Sequence, residues 1–127
     1  MESQDTQQQR VLIVEDEAVI GRVCCKVLTS HGFTVDIVIN GVMAINNLNN
    51  QFYNLCILDL RMPGINGIEL YKYLYDNYRD LSGKVVFTTG DITDSLVSRF
   101  LHNSERVCLQ KPFTPKELLA AVELTLN

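Results

Sequence analysis

Four apolar residues in succession, Val11, Leu12, Ile13 and Val14, run straight into three acids, Glu15, Asp16 and Glu17. An uninterrupted apolar run of this length suits a strand buried on both faces. The period then changes. Ile20, Val23, Cys24, Val27 and Leu28 recur at i, i+3, i+4, i+7 and i+8, which predicts a helix with one apolar face. Gly32 is placed to end that helix in the left-handed conformation. Residues 33–39 alternate at Phe33, Val35, Ile37 and Ile39, as a strand with one less buried face would. A short helix is expected around 42–48, closing in the Asn-rich patch 46–50.

Three further strands are expected at 55–58 (LCIL), 85–88 (VVFT) and 107–109 (VCL). Between them, residues 66–78 predict a helix with Asn66 and Glu69 in capping-box relation. A second helix runs through Leu96, Val97, Phe100 and Leu101. The C-terminal helix starts with Thr114 as N-cap, Pro115 at the first position and Glu117 completing a second box. Its buried stripe would be Leu118, Ala121, Val122 and Thr125.

Five strands alternating with five helices imply a parallel sheet covered on both faces and joined by right-handed crossovers. The strands that are apolar throughout belong in the centre, and the alternating second strand suits an edge. The expected fold is therefore α/β and flavodoxin-like, a (βα)5 three-layer sandwich of strand order 2-1-3-4-5. At 127 residues the chain makes one domain over 10–127, preceded by a Gln-rich flexible tail over 1–9. There is no internal repeat and no linker.

Composition narrows the function without naming it. A net charge of −4 gives no support to direct nucleic-acid binding or to a membrane-surface role. No apolar stretch approaches the roughly 18 residues of a transmembrane helix, and the N-terminus has no signal-peptide core, so a cytoplasmic location is expected. Cys24, Cys25, Cys56 and Cys108 lack CxxC spacing and read as packing residues in a reducing compartment.

The chemistry should lie at the carboxyl ends of the strands, near the switch in strand order between the first and third. Glu15 and Asp16 follow the first strand and Asp59 the third. Thr88, Thr89, Gly90 and Asp91 follow the fourth, and Lys111 with Pro112 the fifth. Several close carboxylates need a cation or protons to compensate them, and hard oxygen ligands suit Mg²⁺. A lysine across the same pocket needs an anion, and a phosphoryl group requires both. A nucleophilic carboxylate can accept phosphoryl as an aspartyl phosphate. Glu17 is expected only to begin the first helix, where an acid complements the dipole.

The stretches VLIVEDE, ILDLRMPGINGIEL, VVFTTGD and LQKPF resemble, in order and spacing, the receiver domain of two-component response regulators and hybrid histidine kinases. The likeness covers residues 10–127. The intervals from Asp59 to Thr89 and to Lys111 are similar to those of single-domain chemotaxis regulators. The resemblance implies that Asp59 is the phosphoacceptor, taking phosphoryl from a phosphohistidine on a sensor kinase or phosphotransfer protein. It implies Asp16 and the main-chain carbonyl of Arg61 as Mg²⁺ ligands with Asp59, and Glu15 acting on the ion through water. Met62, Pro63 and Gly64 would form the turn that presents Arg61. Thr89 would be the switch hydroxyl, Gly90 the small residue beside it, and Lys111 the phosphate contact, with a cis Lys111–Pro112 bond. Arg61 and Asp91 would tune the phosphoryl lifetime. Slow self-dephosphorylation would follow, making a timed switch rather than an enzyme acting on others.

One position departs from the pattern. The family usually carries an aromatic residue three places before the lysine, and Cys108 stands there. Displacement of the helix through Leu96 and Leu101 is then the remaining route of signalling. The face formed by that helix, the fifth strand and the last helix is a possible homodimer surface. Two other readings compete. A Mg²⁺-dependent phosphohydrolase would use Asp59 on a small substrate, but Arg61 stands where a second acid is expected and no cap is inserted. A phosphorylation-independent scaffold would not need both Asp59 and the acids. Ending at the last helix, the chain reads as a single-domain regulator or a receiver cut from a longer protein. His31 is expected to complement a helix dipole, His102 carries no pattern, and Tyr71, Tyr73, Tyr75 and Tyr78 are expected mainly as exposed amphipathic packing.

Overall fold

The computed structural model describes residues 9–127. Of the expected tail, residues 1–8 lie outside the described residues. Gln9 is half-buried, and its carbonyl accepts the Thr34 N–H at 3.0 Å.

Five parallel strands form one sheet in the order β2-β1-β3-β4-β5. They are β1 (Arg10–Val14), β2 (Thr34–Val38), β3 (Leu55–Asp59), β4 (Val85–Thr89) and β5 (Val107–Gln110). The long helices are α1 (Ala18–Thr29), α2 (Gly41–Asn50), α3 (Gly67–Asn77), α4 (Ser95–Ser104) and α5 (Pro115–Leu126). A one-turn helix, Arg79–Ser82, follows α3 and was not expected, because four residues are too few to show a period. The flavodoxin-like order predicted from the strand patterns is the observed one.

The unbroken apolar runs have a simple cause. Successive strand residues point to opposite faces, and both faces of β1, β3 and β4 are covered. Leu12, Val14, Cys56, Leu58, Val85 and Phe87 pack with Ala44, Leu70, Leu74 and Val97 of α2, α3 and α4. Val11, Ile13, Leu55, Ile57 and Val86 pack with Cys24, Leu28, Leu118 and Val122 of α1 and α5. Each fully buried branched side chain is worth roughly 1.5–3 kcal/mol relative to exposure. Cys24 and Cys56 are buried and Cys25 and Cys108 half-buried, all as free thiols.

Two expectations need correction. In β2 the alternation holds for Phe33, Val35 and Ile37, but Ile39 is 52% exposed. The strand ends at Val38, and Asn40 already caps α2 by accepting the Met43 N–H at 2.8 Å. Helix α2 ends in the Asn-rich patch, as expected, at Asn50. In α4, Leu96 is 70% exposed, because the buried face is set by Val97, with Phe100 and Leu101 packed beside it at the i+3 and i+4 positions. Both predicted capping boxes, Asn66 with Glu69 and Thr114 with Glu117, are formed. Gly32 has φ +94°, as expected for the residue that turns the chain after α1. Among the described residues no helix is long and apolar enough to cross a membrane.

Candidate functional site

A parallel sheet sends every strand's carboxyl end to the same edge. Glu15 to Glu17 follow β1 there, Asp59 ends β3, Thr89 ends β4, and Lys111 follows β5. Glu15 and Asp59 are only 3% and 2% exposed, so their charges are met by protein rather than by water. The Lys111 ammonium donates to Glu15 at 3.1 Å, to Asp59 Oδ2 at 3.0 Å and to Glu17 Oε1 at 2.9 Å. An ammonium has three hydrogens, and all three are spent on carboxylates.

One cation does not balance this set. Carboxylate oxygens of Glu15, Asp16, Glu17 and Asp59 lie within 4.8 Å of one another. Two unit charges at that separation repel by about 3.5 kcal/mol at an effective dielectric constant near 20. Burial, aided by the neighbouring Asp59, pushes the Glu15 carboxyl up to about 8. Burial opposes the charge of Lys111, but its hydrogen bonds to Glu17, Asp59 and Glu15 outweigh that and hold it above an ordinary lysine. The donor set is all hard oxygen with surplus negative charge, which fits a small divalent cation such as Mg²⁺.

Glu17 does more than the sequence suggested. It occupies the N-cap position of α1 but makes no side-chain cap bond, and its carboxylate goes to Lys111 instead. Its side chain is 60% exposed, so it closes the ion cluster on the solvent side. The Glu17 N–H donates to Glu15 Oε2 at 3.2 Å.

The remaining predicted residues surround this cluster. The Arg61 N–H donates to Asp59 Oδ1 at 3.1 Å, fixing the carboxylate against the turn of Met62, Pro63 and Gly64. Gly64 has φ +77°, a conformation that side chains resist. Thr89 is fully buried and exchanges hydrogen bonds with the Asp91 main chain, accepting its N–H at 3.2 Å and donating to its carbonyl at 3.3 Å. Beside it, Gly90 leaves open space: a Cβ there would meet nothing within 4 Å. Asp91 accepts from Thr93, which holds its carboxyl below the ordinary value. The Lys111–Pro112 bond is cis.

Asp16, Glu17, Asp59, Arg61, Gly90, Asp91 and Lys111 line one cleft of about 240 Å³. That is less than the roughly 300–1,000 Å³ of pockets that enclose small organic ligands. Larger clefts, near 600 Å³ at Leu48, Phe52 and Tyr78 and near 590 Å³ at Tyr71, Tyr75 and Arg106, are each lined by a single carboxylate, Asp80 and Asp76.

Two residues of consequence escaped the sequence reading. Asp94 caps α4, accepting the Leu96 and Val97 N–H groups on Oδ1, and takes the Arg61 guanidinium on Oδ2 at 2.6 Å. Its sequence signal, an acid just before the apolar period of α4, was available. Gly67 starts α3, where an added Cβ would lie 2.5 Å from the Asp59 carbonyl oxygen. No sequence signal separates it from any glycine after an N-cap.

Outside the cleft, Cys108 is half-buried against the core face that carries Tyr71, Phe87 and Phe100. Those three rings pack with centroids 5.3–5.6 Å apart. The tyrosines do not form one surface. Tyr71 joins that cluster, Tyr73 and Tyr78 donate to Asn49, and Tyr75 lies under the Arg79 guanidinium at 3.8 Å. His31 Nδ1 lies 3.1 Å from the Val27 carbonyl at the end of α1, and His102 is exposed.

Known proteins share both sequence and fold with this chain. The DNA-binding response regulator MtrA of Mycobacterium tuberculosis is 33% identical over 124 residues, covering 97% of this chain and 53% of that protein. The phosphate regulon transcriptional regulatory protein PhoB of Escherichia coli is 33% identical over 121 residues, covering 94% of this chain and 52% of PhoB. The chain thus spans about half the length of these curated relatives. A receiver domain protein (CheY-like) from Methanospirillum hungatei superposes with a TM-score of 0.83 at 26% identity, covering 94% of each chain. The chemotaxis protein CheY4 of Vibrio cholerae gives 0.84 at 22%, over 94% of this chain and 99% of that one, which speaks for the fold alone. The family model of the response regulator receiver domain matches residues 11–123, from the first core residue of β1 into the last turns of α5, and the chain belongs to that family.

Proposed function

We propose that this domain is a signalling switch that accepts a phosphoryl group on Asp59 from a phosphohistidine of a sensor histidine kinase or phosphotransfer protein. The observation that carries this reading is the Lys111 ammonium 3.0 Å from a buried Asp59 inside a small, over-acidic cleft. An Asp59 oxygen attacks phosphorus in line as the phosphorus–nitrogen bond breaks, and the bonding pair leaves with the imidazole. Lys111 then exchanges its contact with the free carboxylate for one with a phosphoryl oxygen. The Arg61 N–H holds the other Asp59 oxygen in place throughout. Phosphoryl transfer needs little more than such positioning and charge compensation.

Asp16, Asp59 and the Arg61 carbonyl would hold Mg²⁺, with Glu15 acting through water. When bound, the ion supplies the positive charge that a phosphoryl group meeting four carboxylates requires. Thr89 must release the Asp91 carbonyl before its hydroxyl can turn to the phosphoryl group, and the space beside Gly90 admits that movement. Helix α4 buries only Val97, so it is the lightly seated element that such a change would displace. Hydrolysis of the acyl phosphate by water in the same open cleft would reset the switch.

Incubation with acetyl phosphate and Mg²⁺, followed by intact mass measurement, tests the proposal. An adduct of one phosphoryl group is expected, absent in Asp59→Asn and absent in EDTA. Turnover of the donor with no adduct would point to a phosphohydrolase. No reaction at all would leave a scaffold.

A further inference from the structure

We propose that Asp94 is a positioning residue that competes with the phosphoryl group for the Arg61 guanidinium, and so ties the start of α4 to the state of Asp59. The proposal rests on Asp59 being the phosphoacceptor. Arg61 joins two parts of the molecule. Its main chain binds Asp59 Oδ1, the residue lines the acceptor cleft, and its guanidinium lies 2.6 Å from Asp94, with which it lines a neighbouring groove. Asp91 is a weaker claimant, 3.9 Å from the same guanidinium and already bonded to Thr93.

The two oxygens of Asp94 divide the work. Oδ1 caps α4 through the Leu96 and Val97 N–H groups, and Oδ2 alone takes Arg61. A dianionic phosphoryl group on Asp59 would place a stronger, bidentate acceptor in a cleft that Arg61 also lines. If it draws Arg61 away, the first turn of α4 loses its bond to the β3–α3 loop while keeping its cap. Competition is reciprocal: weakening Asp94's hold must strengthen the acceptor site's hold on a phosphoryl group by the same factor. This offers a link to α4 that does not pass through position 108, where Cys108 replaces the usual aromatic ring.

Because the oxygens are separate, the pair can be removed without the cap. Asp94→Asn keeps an acceptor for the helix amides and turns an uncharged amide toward Arg61. The probe is beryllofluoride with Mg²⁺, a phosphoryl mimic, and its affinity is read by calorimetry on wild type, D94N, R61Q and the double variant. D94N should bind roughly two- to five-fold more tightly than wild type, the worth of one partly exposed ion pair. In the R61Q background the same substitution should change nothing, a result that a merely structural role for Asp94 would not give. Asp94→Ser, a second cap-preserving change, should match D94N. Affinity in D94N equal to or weaker than wild type, or a D94N effect that persists without Arg61, overturns the proposal. Binding by wild type but not by D59N keeps the acceptor reading intact in that case. Failure of wild type itself to bind sinks the acceptor reading, and this inference with it.

Discussion

Gly67 is the first residue of α3, where helix propensity alone favours alanine over glycine by about 1 kcal/mol. The structure argues for the opposite sign. A Cβ at this position would lie 2.5 Å from the Asp59 carbonyl oxygen, 2.8 Å from Leu60 Cα and 3.0 Å from the Asp59 carbonyl carbon. All three are backbone atoms at the end of a central strand, so no rotamer change relieves the overlap. Overpacking costs about 1–3 kcal/mol, and a rigid backbone neighbour puts this case at the top of that range. Against a propensity gain of at most about 1 kcal/mol, Gly67→Ala should lose about 2 kcal/mol net. For a domain of this size that is roughly an 8 °C fall in Tm, or about 1 M in urea midpoint. Urea unfolding followed by circular dichroism measures it, with Gly90→Ala as control. The control should stay within about 0.5 kcal/mol of wild type, because its Cβ would enter open space. A G67A midpoint at or above wild type would refute the argument that α3 is pressed against the end of β3.

Three further outcomes follow from the same geometry. Lys111→Met leaves Glu15 and Asp59 buried without their ammonium and should cost about 3 kcal/mol in EDTA, part of it recovered on adding Mg²⁺. Glu17→Gln removes only the exposed partner, so thermal melts should move by less than the equivalent of about 1 kcal/mol. Burial raises the Cys108 thiol from 9.0 to about 11. A raised folded value means the thiol form is favoured in the fold, so its contribution is complete below pH 9 and lost as pH climbs toward 11. Stability measured from pH 8 to 11 should therefore fall less steeply in Cys108→Ala than in wild type, and parallel curves would contradict this.

The small size of the cleft bears on the choice among functions. An enzyme acting on a free metabolite needs walls that enclose it, whereas an acceptor of phosphoryl from another protein needs only room for the transferred group. At about 240 Å³ and open to solvent, the cleft suits delivery by a macromolecular donor.

Sequence alone determined the architecture, because period and burial are local consequences of residue type. The continuous runs at 11–14, 55–58 and 85–88 read as strands covered on both faces, and their alternation with capped helices leaves few topologies. It also brought Glu15, Asp16, Asp59, Thr89 and Lys111 to one sheet edge, since each follows a strand in a parallel sheet. Tertiary structure decided what those residues touch. Glu17 looked like a helix-start acid, and only the reach of Lys111 across 94 positions made it part of the ion cluster. Asp94 and Arg61 are 33 positions apart and share no local pattern, so their pairing depends on how two loops meet above the cleft. Gly67 matters because α3 is pressed onto the end of β3, a distance fixed by packing and invisible to any period. Propensity and patterning act within a few residues, while the charges and close contacts that make the site are settled between segments the chain brings together only on folding.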